Sequence, residues 1–487
     1  MNPILEGRMR RTPHPIRAMV SAAAGLLLGG CGGGDSGGNS NPNPPTPLKQ
    51  AIVYSTRDAN GHTALYKVDV DGTGSALLAA SADSAQFAFV VGSRVIYNRV
   101  YDSGFSDIFS VRVDGTGTVP LANSAEAEIA VAVLGNRVIF QRDVPSGVPD
   151  IYIIDADGAH STALATTGDY ERFAGIAGTR IVYERVPQPA QSDLYSVEAD
   201  GSGTVALATS AESESFAAAT NTRVVYYGPG GGALDLHAID ADGTDGASLA
   251  VTSDSEQFEA IVGDRVIYHR YVGASDTHLQ SVRLDATGTI ELEPSRSASF
   301  AGAVGGRVVY QVLKSGRDSD LYSINPDGSD PVPLAITNDA ESFTGSSGAR
   351  VLFYRDDRSG GSIVPVPDLY AVGTDGSGLV ALANGPVSFK ASVGDRIVYS
   401  PFIYEFGGPG PPDATREIGV SSVKIDGSGA IVLANAPDKF AGSDSEHVYI
   451  YRPAANGAAD LYSVDAAGGP LTLLATGVER LEATFAY

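Results

Sequence analysis

One phrase, returning about every 43 residues, governs what this chain can fold into. It reads SDLYSVEADGSGTVALATS at 192–210 and comes back as SDIFSVRVDGTGTVPLANS, PDIYIIDADGAHSTALATT, LDLHAIDADGTDGASLAVT, SDLYSINPDGSDPVPLAIT and PDLYAVGTDGSGLVALANG. Ten Asp-Gly pairs or their equivalents start at 71, 114, 157, 200, 242, 285, 327, 375, 426 and 467. A period in the low forties, made of short strand-like pieces, is the pattern of propeller blades.

Each repeat divides into four strands. Strand A is the SFAAAT or QFEAIV piece, B is RVIY, C is DLYSV and D is the short VALA piece. Branched and aromatic residues alternate with polar ones in B and C, as half-buried strands require. The Asp-Gly between C and D suits a type I′ hairpin with both central residues at positive φ. The expected fold is therefore all-β, a propeller of about ten four-stranded blades over residues 49–487. The repeats begin in phase at a B strand, AIVYST, and finish at an A-like strand, LEATFAY. The last strand is thus expected to complete the first blade and remove an exposed sheet edge. This phase favours one closed ring, with two smaller tandem rings as the alternative.

Charge narrows the function. The formal net charge is -24, against nucleic acid, whose binding needs Lys and Arg clusters. One Cys among 487 residues excludes disulfides within the chain. The D-x-D-G triplets look like the start of a calcium loop, but Arg112, Arg283, Lys424, Asn325 and Gly373 replace the first Asp in other copies. The Asp-Gly is read as turn chemistry. The GDSGG at 34–38 matches the surroundings of a serine nucleophile, yet Ser36 sits in a Gly/Ser linker without a base or an oxyanion hole. The six His beyond residue 30 (62, 160, 237, 269, 278 and 447) fall in different repeats without metal-ligand spacing. No catalytic residue, cofactor or metal is assigned.

Two sets of candidate binding residues remain. The D–A connections carry acids, among them Glu128, Glu171, Glu214, Glu256 and Glu341. If strand A is innermost, they form a broken carboxylate ring on one face, which either attracts a cationic ligand or basic segment or is simply a solvated rim. Two B–C loops are long. The one at 401–417 carries Phe402, Tyr404 and Phe406, which either bind a partner or cap their own blade. Arg99–Asp107, Arg142–Asp150 and Arg185–Asp193 are expected as structural cross-strand ion pairs.

The N-terminus is a targeting segment. Arg8, Arg10, Arg11 and Arg17 precede the apolar AMVSAAAGLLLGG, which ends at Leu28-Gly29-Gly30-Cys31. This resembles the lipobox of bacterial lipoproteins. The resemblance implies cleavage after residue 30, a lipidated Cys31, and, with Gly32 rather than Asp following, the outer membrane. Residues 31–48 read as a Gly/Ser/Asn/Pro tether. The repeats resemble the propeller half of TolB and related WD40-like lipoproteins and periplasmic proteins, on DLYSVxxDGxG followed by LA. The usual WSPDG turn is replaced here by VGDRVIY, LGNRVIF and AGTRIVY. The combined expectation is a monomeric outer-membrane lipoprotein facing the periplasm, or alternatively the cell surface, whose propeller is a scaffold for an envelope protein. The alternatives are a propeller lyase or hydrolase acting on an envelope polymer or glycan, and a cation or metal carrier.

Overall fold

In the computed structural model the described residues are 49–80, 83–143, 148–187, 191–231, 234–273, 276–314, 318–356, 366–405, 414–454 and 457–487. Cys31, the signal segment, the tether, Ser36, Phe406 and most of the other long B–C loop, 355–367, lie outside them.

The fold is an all-β propeller. Every repeat forms an antiparallel sheet in the order A-B-C-D. Blade 4 is typical, with strands Tyr170–Ala177, Arg180–Val186, Asp193–Glu198 and Val205–Ala208. Blades 2 to 9 span 84–122, 128–165, 170–208, 215–250, 255–291, 298–335, 340–383 and 387–435, and blade 10 begins at 439. The final strand, Thr472–Ala486, serves two sheets. Its first residues pair with Ala459–Asp465 as strand D of blade 10. The remainder pairs with Gln50–Arg57 as strand A of blade 1.

A single sheet leaves both faces apolar, so the core lies between blades. Val53, Leu65 and Leu78 of blade 1 pack with Val95, Tyr97 and Val111 of blade 2. The same relation recurs at each following seam. It returns to the start where Tyr449, Leu461 and Leu474 of blade 10 pack with Ile52, Tyr54 and Val68 of blade 1. Each fully buried Leu, Ile or Val contributes about 1.5–3 kcal/mol. Strands A of successive blades also lie against one another, with the Phe216 ring over Gly175 and the Phe343 ring over Gly302, which places A on the inner side.

The C–D turn differs from the expected type I′. Asp71, Asp114 and Asp200 do not take positive φ; the following Gly72, Gly115 and Gly201 do, at 81°, 82° and 80°. Gly72 N–H donates to Asp69 C=O at 2.9 Å, making a tight turn closed by a left-handed glycine, the three-residue hairpin form. The Asp is fixed by its own side chain. Asp71 Oδ1 accepts from Thr73 N–H at 2.8 Å and Thr73 O–H at 2.6 Å. Seven further copies repeat this with Ser or Thr, and the bonds hold their carboxyls below the usual range.

Candidate functional site

The chain runs along B, back along C and along D again, so B–C and D–A connections share one face. Side chains confirm it. Arg185 at the end of B reaches Asp169 of the D–A connection at 2.5 Å. Arg99–Asp83 at 2.7 Å, Arg142–Glu128 at 3.0 Å and Arg452–Asp438 at 2.7 Å follow the same rule.

These contacts correct the expected ion pairs. Arg99, Arg142 and Arg185 do stand opposite Asp107, Asp150 and Asp193 in the ladder. Their guanidinium groups nevertheless turn elsewhere, Arg99 and Arg185 to Asp83 and Asp169 of the D–A connections and Arg142 to Glu128 at the start of strand A. The Arg142 and Arg185 guanidinium groups also lie over Tyr152 and Tyr195, with 4.6 and 5.8 Å to the ring centroids.

The carboxylate ring is corrected as well. Glu128, Glu171, Glu256 and Glu341 are 0% exposed and Glu214 is 1% exposed. Each is the first or second residue of strand A, or lies just before it, and points to the same side as the apolar residue two places on. Each is held from four residues upstream: Ser124, Thr167, Thr252 and Thr337 donate a hydroxyl to Glu128, Glu171, Glu256 and Glu341, and Ser210 N–H donates to Glu214. Burial pushes all five carboxyls up, Glu256 to about 7. They belong to the seams, not to a rim. The surface acids of the connections are largely neutralised by Arg.

What the face does display is apolar. Among the described residues, the exposed large hydrophobic side chains divide between two places. Leu77, Leu379, Val432 and Leu473 lie on the outer D strands. Ten others, including Phe105, Tyr170, Leu234, Tyr271, Leu313 and Ile403, lie at B–C ends or D–A connections. The opposite face, made of A–B and C–D turns, has none among the described residues.

Blade 9 extends this face. Its B strand runs on as Arg396–Glu405 and pairs with Ala414–Glu417, putting Phe402 opposite Glu417 and Tyr404 opposite Thr415. Phe402 and Tyr404 share one side and meet edge to face at 5.3 Å. Phe402 N–H donates to Pro386 C=O at 2.9 Å, and Arg416 pairs with Glu405 at 2.6 Å. The insertion is thus a ribbon joined to its blade. Ile403, on the other side, is 37% exposed.

Among the described residues the His side chains each find a local partner: His269 Nδ1 lies 2.8 Å from Glu259, His160 Nδ1 2.7 Å from Asp155, and His237 stacks on Tyr226. Among the described residues no group of three or more His, Cys, Asp and Glu is placed to hold a metal ion.

No family model matches the chain, and no curated protein matches it. Among solved structures it is similar to the tricorn protease, at 10% identity and a TM-score of 0.34, over 90% of this chain and 48% of that one. The β-propeller domain of the Trilobed protease from Pyrococcus furiosus matches at 12% identity and a TM-score of 0.32, over 59% and 95% of the two chains. TolB from Acinetobacter baumannii matches at 16% identity and a TM-score of 0.25, over 49% and 62%. The chain spans about half the length of the tricorn protease chain it matches.

Proposed function

We propose that this chain is a lipid-anchored binding scaffold of the bacterial cell envelope. Lipid on Cys31 holds the propeller to the outer membrane on the periplasmic side, and the B–C/D–A face binds an envelope protein. The one-sided distribution of exposed apolar side chains carries this reading. Solvation alone gives no reason to confine Phe105, Tyr170, Leu313 and Ile403 to one face. The blade 9 ribbon supplies an aromatic pair on a rigid support, the kind of anchor that dominates protein interfaces.

The test is photo-crosslinking in cells from positions 105 and 403, with position 136 in the A–B turn of blade 3 as the opposite-face control. One dominant envelope protein captured from 105 and 403 and not from 136 supports the scaffold. No specific protein capture, with the chain abundant and folded, overturns it. Incorporation of a fatty-acid analogue that is lost in Cys31→Ser tests the anchor separately.

A further inference from the structure

The buried acids recur as pairs. The start of DLYSV in one blade lies beside the start of strand A in the next, as the bonds from Ser106 O–H to Glu128 C=O, Glu214 N–H to Ser192 C=O, Glu256 N–H to Leu234 C=O and Ser319 O–H to Glu341 C=O show. Five seams carry two acids: Asp107/Glu128, Asp150/Glu171, Asp193/Glu214, Asp235/Glu256 and Asp320/Glu341. At the others at least one acid is absent: Ala64/Ala85, His278/Ala298, Asp368/Val387, Gly419/Asp438 and Asp460/Val478. Two like charges buried together require a compensating cation. Two of the five have one built in. Arg142 Nε lies 3.0 Å from Glu128, and Lys314 Nζ lies 2.6 Å from Asp320.

Among the described residues, the seams Asp150/Glu171 and Asp193/Glu214 have no such pairing on either carboxyl, and at the next seam Glu256 has none. At the first, Glu171 Oε1 takes the Thr167 hydroxyl, while Glu171 Oε2 and Asp150 Oδ1 are both buried without a partner. At the second, Glu214 Oε2 is likewise orphaned. At the third, one residue ties the two acids together. Thr252 N–H donates to Asp235 Oδ1 at 3.1 Å and Thr252 O–H donates to Glu256 Oε1 at 2.6 Å. Asp235 and Glu256 are both 0% exposed.

We infer that the seams Asp150/Glu171, Asp193/Glu214 and Asp235/Glu256 are proton-binding sites, each retaining one proton between its two carboxyl groups. The proton turns two acceptors at the seam into a donor and an acceptor, and it lowers the charge there from two to one; the half-buried Asp193 is the least enclosed of the six acids. The charged and titratable groups facing these pairs are few. They are Arg142, Arg185, Tyr152 and Tyr183 at the first seam, Arg185, Asp169 and Tyr226 at the second, and Arg270, Asp254, Tyr268 and His237 at the third. Arg185 is already held by Asp169, Arg142 by Glu128 and Arg270 by Asp254. Burial is the main cause that raises Glu171, Glu214 and Glu256, and the neighbouring Asp adds to it. A carboxyl raised on folding contributes stability that is complete below its unfolded value and is lost as pH rises through its folded value. For Glu256 that window runs from the ordinary Glu range to about 7.

The test uses the full chain and a Glu171→Gln, Glu214→Gln, Glu256→Gln variant, since Gln keeps the shape and a donor without the charge. Infrared spectroscopy at pH 6 is expected to show a protonated-carboxyl band that the triple variant lacks, and the band should fade as pH rises. The unfolding midpoint of the natural chain is expected to fall between pH 5 and pH 8 more steeply than that of the variant. Identical carboxyl bands or parallel stability curves overturn the proposal. A calcium-induced rise in the natural chain's midpoint, absent from the variant, also overturns it, by making the seams metal sites. If the variant fails to fold, Glu256→Gln alone is read by the same band.

Discussion

Ser110 donates its hydroxyl to the carbonyl of Ala156, 2.6 Å away in the next blade, while Arg94 Nε donates to the same hydroxyl oxygen at 2.5 Å. The arrangement recurs. Ser281 reaches Pro326 C=O and Ser422 reaches Ala466 C=O, both at 2.6 Å, with Arg265 and Arg396 behind them at 2.6 and 2.9 Å. Ser463 of blade 10 reaches Val70 C=O of blade 1 at 2.8 Å. The Ser of DLYSV thus forms a latch from each of these blades to the next, backed by the Arg of RVIY in blades 2, 6 and 9.

Ser281→Ala is expected to destabilise by about 1–3 kcal/mol, because it leaves Arg265 Nε and Pro326 C=O short of a partner in a buried site. Ser422→Ala should do the same at a distant seam, and the two should add. Urea unfolding measures both; losses below about 0.5 kcal/mol would make the latch incidental.

Ala286→Gly is expected to stabilise. Ala286 sits at φ 64°, where other blades place Gly. The left-handed region costs an L-residue about 1–2 kcal/mol, offset in part by the greater freedom of Gly when unfolded. The reverse change, Gly201→Ala, adds a steric conflict, since its Cβ would stand 2.8 Å from Ala163 C=O. Thermal unfolding of both variants should move in opposite directions.

The blades were legible because alternation within RVIY and DLYSV is local. The turn type was not, because Asp-Gly fits two hairpins and the deciding residue is the next one, Thr73 or its equivalents. The Ser latch was missed because its acceptor lies some 45 residues ahead. The acids were misplaced for a related reason. Asp169 and Glu171 look alike in a polar connection, yet Glu171 shares its side with Phe173 and goes under, while Asp169 stays above with Arg185. The spacing E-x-F at 171, 214, 256 and 341 was the available signal.

Ile403→Asp is expected to separate binding from folding. The side chain is half-exposed on the solvent side of the blade 9 ribbon, so stability should change by no more than about 0.5 kcal/mol. Capture of a partner from position 105 should nonetheless fall sharply, since a charge at an apolar contact is costly to desolvate. Unchanged capture would remove the ribbon from the binding face.

The pairing of the two strand ends yields a direct check. Lys49 N–H donates to Tyr487 C=O at 3.1 Å and Tyr487 N–H to Lys49 C=O at 3.0 Å, so Gln50 and Ala486, next in register, face each other as a non-hydrogen-bonded pair. Such pairs bring Cα atoms to about 4.5 Å, within the range a disulfide spans. Neither side chain is part of the core. In a Cys31→Ser background no other thiol remains. Gln50→Cys with Ala486→Cys should oxidise fully, abolish free thiol and raise stability by about 2–4 kcal/mol, reversibly with reductant. Thiols that stay free under oxidant would mean that the last strand does not complete the first blade in this register.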